Sequence, residues 1–224
     1  MPLLIANVLD AEKLTTAREL AGTLSWRDGA ETAGATARAV KHNTQADLSS
    51  RTGVKLREML REAITRHPVL RAAAHPKRFS NLLVSKTEPG GSYGLHVDNA
   101  FMGSGEARLR TDLSFTLFLS DPETYEGGQL VVELAGMQQS FKPVAGDLVL
   151  YPSTSLHQVA PVTSGTRLAC VGWIESAVPD AAARDILFDL ENLRASLAAQ
   201  YPAQSPEMLT LAKTISNLLR RFGQ

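Results

Sequence analysis

Two residues near the middle of the chain, His96 and Asp98, are separated by a single valine in the run Tyr93-Gly94-Leu95-His96-Val97-Asp98. Side chains alternate along a strand, so an imidazole and a carboxylate at i and i+2 point to the same face. A second imidazole, His157, comes from a distant strand and completes a two-histidine, one-carboxylate set. Such a set covers one face of an octahedral metal and leaves the other open, as in non-haem iron(II) oxygenases. Arg167 follows soon after, and a guanidinium can pair bidentately with a carboxylate. A dicarboxylate could then chelate the metal at one end and meet Arg167 at the other. The competing reading gives Arg167 to a protein carboxylate such as Glu133 or Glu175.

These residues need a scaffold of strands. From Arg78 to about Ser176 short β-branched and aromatic runs alternate with Gly, Pro, Asp and Ser punctuation, the texture of an all-β barrel or sandwich. The candidate strands are Asn81–Lys86, Gly94–Asp98, Leu113–Leu119, Gln129–Leu134, Gln138–Lys142, Asp147–Tyr151, Leu156–Val159 and Arg167–Ile174. That number of strands suits a double-sheet jelly roll. No βαβ rhythm is present, which argues against a nucleotide-binding α/β fold. Pro161, Ser164 and Gly165 make the stretch from His157 to Arg167 read as a hairpin, its ends side by side. Phe101-Met102-Gly103-Ser104-Gly105 reads as a loop over the barrel mouth, against a hairpin connection with no substrate role, and Trp173 as core.

The flanks read as helical. Asp10 can cap a helix through roughly Leu24, Gly29 to Gly34 is a small-residue loop, and a helix from about Ser50 to His67 ends at Pro68. After Pro179, Asp180 and Ser205-Pro206 open two amphipathic helices. They must dock on the barrel or on another subunit, since neither is stable alone; a homo-oligomer through them is one outcome. The expected fold is thus α+β with a mainly β core: a double-stranded β-helix (jelly roll) at 78–177, an N-terminal helical segment at 1–77 packing on it, and a C-terminal helical hairpin at 178–224. His42, His67 and His75 read as structural or exposed.

Composition excludes several classes. Lys+Arg and Asp+Glu balance at 23 each, so no global field draws the protein to nucleic acid or a membrane. The single cysteine, Cys170, lies in an apolar run and reads as a buried, inert thiol; it rules out an internal disulfide and thiolate-rich metal sites. No signal peptide or membrane-spanning run is read, so a cytoplasmic location is expected.

The motifs together resemble those of bacterial PKHD-type hydroxylases, a branch of the iron(II)/2-oxoglutarate dioxygenases related to prolyl 4-hydroxylase. The likeness runs through Tyr93–Ala100, Arg110–Ser120, Tyr125-Glu126-Gly127-Gly128, Ala145–Pro152, Ser155–Val159, Pro161-Val162-Thr163, Gly165, Arg167 and Trp173-Ile174. It implies that His96, Asp98 and His157 hold Fe(II) and that Arg167 holds the distal carboxylate of 2-oxoglutarate. It also implies O2 as oxidant, ascorbate (vitamin C) as reductant, and hydroxylation of an unactivated C–H bond with release of succinate and carbon dioxide. The primary substrate would be a small metabolite, a siderophore-related compound or a peptide.

Two departures concern the neighbourhood of the site. Relatives tend to carry an aromatic hydroxyl where this chain has Thr87, so Tyr93 or Tyr151 is the candidate replacement; Ser164 stands where an arginine is expected. Asn99 is a further candidate neighbour of the metal or substrate, against an ordinary turn-capping role. Two other readings use the same residues: a cupin-like metal enzyme without 2-oxoglutarate, and a catalytically silent barrel that binds a partner. Arg167 discriminates against the first and the intact ligand set against the second.

Overall fold

The computed structural model describes residues 2–32 and 35–224. The N-terminal third contains β1 (Leu3–Ile5), α1 (Ala11–Gly22), β2 (Trp26–Asp28), α2 (Ala35–Arg38), β3 (Lys41–His42), β4 (Thr44–Ala46), α3 (Arg51–Arg66) and α4 (Pro68–Ala74). The middle begins with β5 (Pro76–Phe79), β6 (Leu83–Thr87), β7 (Ser92–His96), β8 (Phe101–Met102), β9 (Leu109–Arg110) and β10 (Leu113–Phe118). It continues through β11 (Tyr125–Gly127), β12 (Leu130–Leu134), β13 (Met137–Phe141), β14 (Leu148–Pro152), β15 (His157–Val159), β16 (Val162–Gly165) and β17 (Arg167–Ser176). Helices α5 (Ala181–Leu197) and α6 (Pro206–Phe222) close the chain. It is a mixed helix and strand fold with antiparallel sheets.

The larger sheet runs β1-β14-β10-β17-β6-β4-β2, with β5 on the far end of β17, and the smaller runs β13-β12-β15-β7-β3. Strand β10 is buried at every position because both of its faces are covered. On one face Leu113, Phe115 and Leu117 join Leu148, Leu150 and Cys170 in a cluster with Ala17, Ala21, Leu56, Leu60 and Ile64 of α1 and α3. On the other, Phe118 packs with Val149 and Tyr151 against Leu130 and Val132 of the smaller sheet. Helices therefore cover the outer face of the larger sheet, and the inner face looks across at the smaller one.

Helix starts follow their caps. Asp10, Ser50, Asp180 and Ser205 each accept a hydrogen bond from the backbone N–H three residues on, satisfying an otherwise orphaned donor. Gly53, inside α3, is required by close approach: a Cβ there would stand 2.6 Å from Leu48 Cα. Pro68 does more than end α3. It opens α4 at the first helical position, where its missing N–H costs nothing.

Three expectations change. The N-terminal segment is not only helical: β1, β2 and β4 extend the larger sheet and β3 the smaller. Strands of two or three residues leave no periodicity to read. The Gly29–Gly34 loop is in part a 3-10 turn over Gly29–Thr32, its end lying outside the described residues. Finally, β15 and β17 are not hairpin partners. They lie in different sheets, and the chain between them pairs β16 with β11 while crossing over. Pro161 offers no N–H to a ladder, and Gly165 (φ +71) passes so near β11 that a Cβ would lie 2.1 Å from Thr124 O.

The C-terminal helices dock within the chain. Val178, Ala183, Leu187 and Ile215 form a third apolar cluster, and Gln224 N donates to Ala177 O at 2.8 Å. Among the described residues no helix is long and apolar enough to cross a membrane. Leu60 is fully buried at the junction of helices and sheet. Leu60→Ala should therefore lower stability by about 2–5 kcal/mol, read as a lower urea midpoint with the slope retained; an unchanged midpoint would contradict this packing.

Candidate metal site

The cavity between the sheets is lined from the smaller one by Tyr93, His96 and His157, and from the larger one by Ser114, Tyr151 and Arg167. His96 ends β7 and His157 begins β15, and the antiparallel register puts them opposite each other, with ring centroids 4.2 Å apart. Asp98 lies just beyond β7, its Oδ2 3.6 Å from His157 Nε2. One ligand atom from each of the three can be chosen so that all lie within 4.8 Å of one another. Val97, between His96 and Asp98 in the chain, is exposed and borders the cavity mouth.

Backbone carbonyls orient both histidine rings. His96 Nδ1 contacts Gly94 O at 2.7 Å and His157 Nδ1 contacts Ser155 O at 3.1 Å. A carbonyl can only accept, so Nδ1 carries the proton in each ring and Nε2 keeps its lone pair. Burial first, and then the neighbouring His157, pushes the His96 pKa down to about 4, which favours the neutral, metal-binding form. Ser114 Oγ donates to Asp98 Oδ2 at 2.5 Å and also meets Ser153 Oγ at 2.7 Å. Two nitrogens and a carboxylate oxygen with open positions beyond them are a donor set suited to iron(II), and these residues fit it.

Arg167 reaches the cavity from β17 and is 2% exposed. Its Nε donates to Gly128 O at 2.8 Å, while Nη2 is buried without a partner among the described residues. Glu175 is taken by Arg78, whose Nε lies 2.9 Å from Oε2; among the described residues no carboxylate pairs with Arg167. Burial lowers the pKa of its guanidinium, opposed by Tyr125 and Tyr151, yet an arginine stays charged at any ordinary pH. His157 and Arg167 thus share a cavity from facing sheets, not as neighbours in one ladder.

The remaining candidates separate. Tyr93 stacks on His96 with centroids 3.7 Å apart, and its pKa is pushed up to about 12 by burial and then Asp98. Tyr151 meets His157 edge-on at 5.0 Å, and burial raises its pKa, so both phenols stay protonated. Asn99 lines the cavity, but its hydrogen bond is made by its carbonyl, which accepts from Thr111 Oγ1 at 2.5 Å. His42, His67 and His75 are not in the metal-ligand group. Cys170 is buried, with its pKa pushed up to about 12.

Several residues in and around the cavity escaped the sequence reading. Ser114 and Thr116 alternate with Leu113, Phe115 and Leu117, a signal that one face of β10 is polar. Trp173, read as core, lines the cavity, and among the described residues its buried Nε1 has no partner. Tyr125, whose hydroxyl has no partner among the described residues, lies close enough to Arg167 to oppose the effect of burial on its pKa. Lys41, from the short strand β3, is a cavity residue that nothing in its local sequence marks.

Comparison with known proteins accords with this geometry. The family model described as the 2OG-Fe(II) oxygenase superfamily matches residues 82–175. A PKHD-type hydroxylase of Hyphomonas neptunium is 58% identical over 99% of both chains, and one of Synechococcus elongatus is 46% identical over 100% of both. Among solved structures, a Trichoplax adhaerens prolyl hydroxylase, in complex with a hypoxia-inducible factor peptide fragment, has a TM-score of 0.56 at 17% identity, covering 81% of this chain and 86% of that one. A Pseudomonas putida prolyl-4-hydroxylase has a TM-score of 0.50 at 22% identity, covering 78% and 92%. These structural likenesses concern the fold.

Ser114→Ala removes a hydrogen bond that orients Asp98 and should weaken metal binding about 10–100-fold in a competitive chelator titration; wild-type affinity would mean Asp98 is oriented without it. In the metal-free protein, the folded pKa of His96 lies below its ordinary value of 6.5, and burial lowers His67 and His75 in the same direction. The unfolded chain therefore binds more protons. Stability is fully present above pH 6.5 and should fall as pH drops towards about 4, the value to which His96 is lowered. Thermal melts across that window check the sign, and a Tm that rises on acidification would refute it.

Proposed function

The chain belongs to the PKHD-type hydroxylases of the 2OG-Fe(II) oxygenase superfamily, and from that premise we propose that it couples decarboxylation of 2-oxoglutarate to hydroxylation of a small-molecule or peptide substrate. One observation carries the proposal beyond the family. A buried guanidinium with an unpartnered Nη2 lines the same cavity as a two-histidine, one-carboxylate set. A cation so placed needs an anion, and the distal carboxylate of 2-oxoglutarate supplies one. In this reading residues 78–177 are the catalytic jelly roll, with 1–77 and 178–224 as flanking segments.

Each side chain then has a definite task. His96 and His157 bind Fe(II) through Nε2, because their Nδ1 protons are committed to Gly94 O and Ser155 O. Asp98 contributes the charge, and Ser114 fixes its carboxylate. Arg167 orients 2-oxoglutarate from its distal end. When bound, iron(II) and 2-oxoglutarate supply the oxidising chemistry with O2, one oxygen atom passing to succinate and the other to the substrate hydroxyl. The protein contributes position and dryness, with Leu130, Val159 and Trp173 among the cavity walls. No side chain is asked to act as a general base. A cytoplasmic setting and ascorbate as reductant suit this chemistry. Oligomerisation through the C-terminal helices would cover the exposed Ile186, Leu193 and Leu209.

Anaerobically purified protein should bind one Fe(II) per chain and convert 2-oxoglutarate to succinate in air, slowly alone and faster with substrate. His96→Ala and Asp98→Ala should abolish both binding and turnover. Arg167→Ala should retain iron but raise the half-saturating 2-oxoglutarate concentration at least about 30-fold, equivalent to about 2 kcal/mol. Iron-loaded wild type that makes no succinate with any candidate substrate would sink the reading, as would an Arg167→Ala variant with an unchanged requirement.

A further inference from the structure

Lys41 lies on β3 opposite Tyr93 of β7 and lines the cavity that holds the ligand set. It is 6% exposed, and lysines so buried are normally paired. Here Nζ donates to Thr32 Oγ1 at 3.0 Å and sits 5.1 Å from the Tyr93 ring centroid, the same ring on which His96 stacks. Thr32 in turn hydrogen-bonds Gln45 Oε1 at 2.8 Å. Among the described residues no carboxylate pairs with Lys41. An ammonium has three donors, and among the described residues one hydrogen bond is made, which leaves two to be met. Burial pushes its pKa down to about 8, against the longer-range pull of Asp98 and Asp28.

Charge counting identifies what is missing, and it rests on the functional reading above. Among the described residues lining the cavity, Lys41 and Arg167 are the cations and Asp98 is the one carboxylate. A divalent iron and the 2-oxoglutarate dianion cancel. Arg167 and Asp98 cancel as well. The positive charge of Lys41 is left over in a desolvated site, where an unpaired charge is expensive. Trp173 adds a second donor without an acceptor, its buried Nε1, and it lines both this cavity and the adjoining cleft of about 720 Å³ beside β8 and β9.

We propose that Lys41 binds a carboxylate on the molecule that is hydroxylated, so that the primary substrate is an organic acid or a peptide presenting a free carboxylate. Thr32 and Gln45 position the ammonium, and the anion completes the charge balance of the loaded site. The cleft beyond Trp173 accommodates the rest of the molecule. A neutral substrate would leave Lys41 uncompensated, so selection against it follows from the same electrostatics.

The test uses full-length protein loaded with Zn(II) and 2-oxoglutarate, which fills the metal site without turnover. Two matched pairs are titrated by calorimetry: hexanoate against hexanamide for a small acid, and acetyl-trialanine against its C-terminal amide for a peptide. Wild type should bind the acid of at least one pair about 10-fold more tightly than its amide, and the preferred pair identifies the source of the carboxylate. Lys41→Met and Lys41→Gln should lose that preference, Lys41→Arg should keep it, and all three should retain zinc and 2-oxoglutarate affinity, which also reports that they are folded. No preference in wild type, or a preference that survives in Lys41→Gln, overturns the proposal. Loss of 2-oxoglutarate binding in both neutral variants overturns it too, by assigning Lys41 to the co-substrate. The functional reading fails separately, if zinc-loaded wild type does not bind 2-oxoglutarate.

Discussion

His96 and His157 are cross-strand partners, and partners in an antiparallel ladder have Cβ atoms about 4.5–5.5 Å apart. That spacing lets two imidazoles converge on one metal ion without a special loop. The constraint propagates outward. A slip of one residue between β7 and β15 would turn one ring away from the other. Asp98, just beyond the end of β7, would move away from His157 as well. The flanking pairings, β12 with β15 and β3 with β7, therefore matter to the site because they hold the register from both sides.

The larger sheet answers a different requirement, because it must be greasy on one face and polar on the other. Leu113, Phe115 and Leu117 bury against helices, and at about 25 cal/mol per Å² of apolar surface such contacts are the main source of stability. Ser114 and Thr116, between them, line the cavity. Polar residues under two covered faces are tolerated because they have partners, as Ser114 does with Asp98 and Ser153. The helices thus stabilise a sheet whose inner surface is free to carry chemistry. The unpartnered atoms of that inner surface, Arg167 Nη2 and Trp173 Nε1, mark where the protein alone does not complete its own hydrogen bonding.

The candidate metal ligands and Arg167 were legible because their signal is local: a His-x-Asp pair at a strand end, a second histidine at a strand start, an arginine beyond a glycine turn. The route between the last two was not. Pro161 and Gly165 fit a hairpin as well as a crossing, and only the pairing of β16 with β11 separates the two. Strands β1 to β4 were hidden for a related reason, since two or three residues carry no period and their pairing is decided by distant partners. Lys41 was hidden most completely. Its neighbours Val40 and His42 say nothing about a cavity, and its burial arises when β3 adds to the edge of β7.

This difference in legibility follows a division within the molecule. The three candidate ligands and Arg167 all fall inside residues 82–175, the stretch matched by the superfamily model, whereas Thr32, Lys41 and Gln45 lie outside it and still reach the same cavity. A site that activates oxygen needs fixed distances among a few ligands, and a shared sheet pairing supplies them. A site that chooses what is oxidised needs groups that can change without disturbing those distances. Residues on an appended edge strand meet that need, because β3 pairs with β7 at Tyr93 and Ser92, away from His96. Charge at position 41 can therefore vary while the register of His96 against His157 is kept, and in this chain it is positive, buried and turned towards whatever enters beside the metal.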